Sequence, residues 1–149
     1  MREFLNGLGF EPILSEHPTF PISPEAKTIE NCINAVRERA DIFVLIVGNR
    51  YGSTVQSGKS VTNLEYLAAK EKSIPIYVFV LKQIIHLLPT WKDNPNGNYS
   101  ATVDTPKLFE FVDSLRSSGE HWVFPFEQAQ QITENLRQYF LYNGLYFEN

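Results

Sequence analysis

The chain predicts an α/β domain with a mainly parallel sheet, and three observations carry that reading. Strand-like and helix-like segments alternate along most of the 149 residues, as expected of strands joined by helical crossovers. The run Asp41-Ile-Phe-Val-Leu-Ile-Val47 is continuously apolar and rich in β-branched residues, the pattern of a strand covered on both faces. Ahead of it Ala26, Ile29, Ile33, Val36 and Ala40 recur at helical spacing, so one face of a helix is set against a core.

The elements follow in order. Met1 to Leu8 reads as the last turns of a helix, and Gly9 suits the left-handed position that ends one. Phe10 to Glu16 reads as a strand. Ser23 is a plausible N-cap for the next helix, with Pro24 at the first helical position, where its missing N–H costs nothing. Residues 41–47 form the central strand of those present. Gly48, Gly52 and Gly58 mark a loop from Gly48 to Lys59 leaving that strand's carboxyl end, and Ser60 or Thr62 caps a helix reaching about Lys72. Ile74 to Leu81 is the next buried strand. A short helix from Lys82 to Trp91 precedes the polar stretch Lys92 to Asp104, expected to be a mobile loop. Pro106 opens a helix with Leu108, Phe111, Val112 and Leu115 on one side. His121 to Phe126 is a short strand, at an edge because Pro125 cannot donate to a ladder. Ala129, Ile132, Leu136 and Phe140 mark the final helix.

Composition narrows the function classes. The length suits one domain over residues 1–149. A net charge of −4 leaves no basic footprint for phosphate backbones, so nucleic acid is not an expected partner. No apolar run approaches the roughly 20 residues that span a bilayer, and the start lacks a signal-peptide core, so no membrane partner and a cytoplasmic location are expected. The single cysteine, Cys32, reads as a small buried hydrophobe. His17, His86 and His121 are scattered without metal-like spacing, so no metal site is expected, and no Gly-x-Ser-x-Gly elbow points to a serine hydrolase.

In open α/β sheets ligands gather where the parallel strands end and helix N-termini present free N–H groups. The loop from Gly48 to Lys59 and the helix after it occupy that position. Val61, Leu64 and Ala68 form the helix's expected inward stripe, and Glu65, one turn from Val61, projects toward the sheet side. Arg50, Tyr51, Ser53, Lys59 and Ser60 supply groups for phosphate or ribose hydroxyls, and Gly52 allows close backbone approach. A structural reading stands beside this one: Thr62-x-x-Glu65 has the spacing of a capping box, in which the glutamate reaches back to the helix start.

The run from Cys32 to Ser53, with Gly48-x-Arg50-Tyr51-Gly52, followed by Lys59-Ser-Val-Thr-Asn-Leu-Glu-Tyr-Leu-Ala-Ala-Lys70 and Ile74-Pro-Ile-Tyr-Val-Phe-Val80, resembles the bacterial domain-of-unknown-function family 4062. The resemblance is strongest over residues 10–81. It implies a flavodoxin-like three-layer fold related to TIR domains and nucleoside 2-deoxyribosyltransferases, often beside other modules in defence-associated proteins. Members usually begin with a strand and a serine-rich loop, so this copy is expected to have its first strand missing, upstream of Met1, with a weakened pocket. In active relatives a glutamate on the corresponding helix attacks or stabilises the ribose anomeric carbon, and Glu65 is the matching position.

The resemblance therefore implies a TIR-like nucleotide-handling domain, with NAD or a related nucleotide as substrate, no required cofactor, and N-glycosidic cleavage of the glycohydrolase or ribosyl-transferase type in bacterial defence or signalling. The alternative is a non-catalytic protein-interaction or ligand-sensing domain that associates with itself or with a fused effector module, using the 92–104 loop and the aromatic tail Tyr139 to Phe147.

Overall fold

The computed structural model describes residues 2–7, 11, 13, 28–51 and 57–142. Its contacts fall into two compact units, Met1–Phe20 with Phe126–Asn149, and Pro21–Pro125.

The first unit holds α1 (Arg2–Gly7) and, at the chain's other end, α6 (Ala129–Tyr142). Ile132, Leu136 and Phe140 of α6 are buried, the helical spacing read from the sequence. The Arg137 guanidinium lies over the Phe4 ring at 5.3 Å.

The second unit holds α2 (Thr28–Arg39), β1 (Phe43–Val47), α3 (Val61–Lys72), β2 (Ile76–Leu81), α4 (Lys82–Asp93), α5 (Lys107–Ser117) and the strand β3 (Val123–Phe126), whose last residue falls at the division. β1 and β2 pair in parallel, with Phe43 opposite Ile76 and Val47 opposite Val80, and α3 is the crossover that parallel pairing requires. The sheet order is β1-β2-β3. This is an α/β fold of flavodoxin-like type.

The middle strand of the described sheet is β2, not β1 as the apolar run suggested. Tyr77, Val78, Phe79 and Val80 are all buried, whereas Ile46 of β1 is 44% exposed. On one sheet face Leu45, Val47, Val78 and Val80 pack with Ile84 and Leu88 of α4 and Leu108, Phe109, Phe111, Val112 and Leu115 of α5. On the other face Phe79 stacks on Phe124 at 5.5 Å. β3 lies at the end of the described sheet, where Pro125, which has no N–H to donate to a ladder, is exposed.

α2 and α3 are side by side. Val36 of α2 packs on Ala68 and Ala69 of α3, and small residues at such a seam let two helices approach closely. The Lys72 ammonium donates to the carbonyl of Val36 at 3.2 Å, which also accepts from the Ala40 N–H at 3.3 Å, and to that of Ala40 at 2.5 Å, as cationic side chains do at helix C-termini.

The stretch from 92 to 104 is tied down. The Tyr99 hydroxyl donates to the Asn94 carbonyl at 2.6 Å, its ring meets Phe109 edge-on at 5.3 Å, and Val103 is buried. The strand expected over 10–16, apart from Glu11 and Ile13, and the Ser23–Pro24 helix start lie outside the described residues.

Candidate functional site

Ser60 begins α3. Its backbone is extended (φ −75°, ψ 160°) and its Oγ accepts from the Asn63 N–H at 3.0 Å, the geometry of an N-cap. Thr62 is therefore the second helical residue and Glu65 the fifth. The capping-box reading of Thr62 and Glu65 does not hold, because the cap sits two residues earlier and Glu65 is more than a turn from it.

The buried residues of α3 are Tyr66, Ala68 and Ala69; Val61 and Leu64, expected in the inward stripe, are half-buried. The helix has two inner faces because it meets two neighbours. Tyr66 turns to the sheet and α5, where its ring meets Phe111 edge-on at 5.9 Å. Ala68, Ala69 and Lys72 turn to α2. Glu65 lies one turn before Ala68 and Ala69 and acts electrostatically on Cys32, one turn before Val36 on α2. The matching order of these contacts means that α2 and α3 run in the same direction. Glu65 thus occupies the seam between them, in the half nearer their N-termini. Because α3 follows β1, that is the end at which the parallel strands terminate.

Burial pushes the Glu65 carboxyl up from 4.5 to about 7. Among the described residues no cation opposes the shift and no side chain donates a hydrogen bond to the carboxylate. Its proton is consequently exchangeable near neutrality, where general acid–base groups work best. Cys32 is half-buried, and its thiol is raised by burial and then by the Glu65 charge, which keeps it in the unreactive thiol form.

The other candidate residues are distributed as follows. Arg50 and Lys59 are exposed. Ser60 is buried with its oxygen engaged by the cap. Tyr51 is buried; its ring meets Phe111 edge-on at 6.3 Å and its hydroxyl accepts from the Asn63 amide at 3.3 Å. Gly52 and Ser53 lie outside the described residues. Arg50, Tyr51 and Thr62 line a small hollow with Ile46, Val47, Leu108 and Phe111, of about 30 Å³, room for about one water molecule. Glu65 is not part of its wall. Among the described residues, the structure therefore brings Arg50 and Tyr51 together at the strand end and sets Glu65 apart in the helix seam.

Two contributors to the site carry no local signal in the sequence. Asp104 accepts the Tyr51 N–H through its carboxylate at 2.8 Å, across 53 residues of chain, and donates its own N–H to the Asn49 carbonyl at 3.3 Å. Asn63 holds the Tyr51 hydroxyl. Only the tertiary fold reveals either pairing.

Among the described residues, no cluster of His, Cys, Asp and Glu could hold a metal ion, and no helix is long and apolar enough to cross a membrane.

Fold and site together define an α/β domain of flavodoxin-like type with a half-buried carboxyl near the strand ends. The sequence profile of the domain of unknown function DUF4062 matches residues 1–140, and the chain belongs to that family. Searches of curated proteins and of solved structures give no match.

Proposed function

We propose that the chain is a TIR-like nucleotide-handling domain that cleaves the N-glycosidic bond of NAD or a related nucleotide, with Glu65 as the catalytic carboxylate and a role in bacterial defence or signalling. The observation that carries the proposal is the setting of Glu65: half-buried, relieved of any capping role, unopposed by a cation among the described residues and raised to about 7. A desolvated carboxyl with a raised pKa near the strand ends supports a working role for Glu65.

In the reaction the base departs from the anomeric carbon with the bonding electron pair, and positive charge develops on the ribose. An ionised Glu65 stabilises that charge or bonds to the carbon, and water then completes hydrolysis, as carboxylates do in glycoside chemistry. Arg50 and Lys59, exposed beside the strand end, are the cations for the nucleotide phosphates.

The test is incubation of the protein and of Glu65→Gln with NAD, with released nicotinamide measured across pH. We expect product from the wild type, a loss of at least 100-fold in the variant, and kcat/KM rising with pH through about 7, because the ionised form is the active one. Equal product from both proteins removes Glu65 from the mechanism.

The second reading, a non-catalytic domain that binds a partner or a copy of itself, draws on the small size of the Arg50 hollow and the separation of Glu65 from it. Absence of product from either protein favours it.

A further inference from the structure

The corner joining α5 to β3 carries a histidine that the proposed chemistry does not use. α5 ends at Ser117, and Gly119 follows in the left-handed region at φ +68° with open space around its Cα. Glu120 and His121 come next, then Trp122, 76% exposed and tilted against Phe124 at 6.2 Å.

Two contacts fasten this corner to α3. The Glu120 carboxylate pairs with the Lys70 ammonium at 3.0 Å, and the His121 ring meets Tyr66 edge-on at 5.6 Å. Tyr66 in turn rests on Phe111 of α5. His121 Nε2 is buried with no hydrogen-bond partner among the described residues. The nearest carboxylate oxygen, on Glu120, is 3.8 Å away and already engaged by Lys70.

We propose that this corner is an acid-released latch: protonation of His121 drives its ring off Tyr66, and the segment turning on Gly119 carries Trp122 with it. A neutral imidazole tolerates this seat; an imidazolium adds a proton at the buried Nε2, whose neighbouring carboxylate, Glu120 at 3.8 Å, is beyond hydrogen-bond reach and already engaged by Lys70. The charged groups acting on the ring are Glu120 beside it and Lys70 from α3. Desolvation is the main influence and lowers the imidazole below its ordinary 6.5; Glu120 opposes the shift and Lys70 adds to it. The latch is therefore closed at neutral pH and opens in mildly acidic solution. The glycine matters because a non-glycine residue is strained at positive φ, and the ion pair alone is too exposed to hold the corner.

The experiment is a pH titration of the full chain by NMR, following the His121 Cε1–H and the Trp122 indole N–H, assigned with His121→Gln and Trp122→Phe. The expected result is one shared midpoint below 6.5 for both signals, with core methyl signals unchanged over the same range. In Glu120→Gln, which keeps the ring and removes its neighbouring charge, the midpoint moves lower still; in His121→Gln the Trp122 signal no longer responds. The proposal is overturned if His121 titrates at or above 6.5, if Trp122 does not follow it, if the core methyls shift at the same midpoint, or if the Trp122 transition survives in His121→Gln.

Discussion

Tyr51 and Glu65 illustrate what a residue's type reveals and what only its neighbours decide. Tyr51 stands in a loop whose composition advertises polar contacts to a ligand, yet its ring is buried, its hydroxyl is held by Asn63 and its N–H is held by Asp104. Nothing local announces Asp104, because the contact spans 53 residues. Asp104→Ala should cost about 1–2 kcal/mol in urea denaturation, since it strands a donor beside the core, while Asp104→Asn, which keeps the acceptor oxygen, should recover most of the loss. Glu65 was legible as a carboxylate near the strand ends. Its face was not, because helical spacing marks apolar positions without saying which of two packed neighbours each one meets.

At the scale of elements, α3 was legible to within a residue, for the reason the structure displays: a hydroxyl at Ser60 before a helical run, and basic residues in the last turn. The ambiguity between Ser60 and Thr62 was physical, since both carry a hydroxyl that can accept from an amide. Ser60→Ala should cost about 1 kcal/mol, while Thr62→Ala should cost a few tenths, measured by thermal denaturation; the opposite order would restore the capping box. In the described sheet β2 and not β1 is the middle strand, because an apolar run reports burial potential, whereas sheet order depends on partners elsewhere in the chain. The polar stretch 92–104 read as loose because its anchors, Tyr99 on Phe109 and buried Val103, are single apolar residues within a hydrophilic run.

For the whole molecule, the alternation of elements is enough to give the α/β class, and the parallel β1–β2 pair with its α3 crossover agrees with it. Among the described residues the Glu65 carboxyl has no ion-pair or hydrogen-bond partner in the α2–α3 seam, and such a group has a thermodynamic signature. Because the Glu65 carboxyl is raised from 4.5 to about 7 in the folded state, its favourable contribution is fully present below pH 4.5 and lost as pH rises through 7. Allowing for solvent screening of a half-buried group, the difference is about 1–2 kcal/mol. The decisive measurement is the unfolding free energy of the wild type and of Glu65→Gln from pH 4 to pH 8.5. The variant is expected to be the more stable by about 1–2 kcal/mol at pH 8.5, with the advantage gone by about pH 4.5. A gap that does not change with pH, or a wild type that is the more stable at pH 8.5, would contradict it.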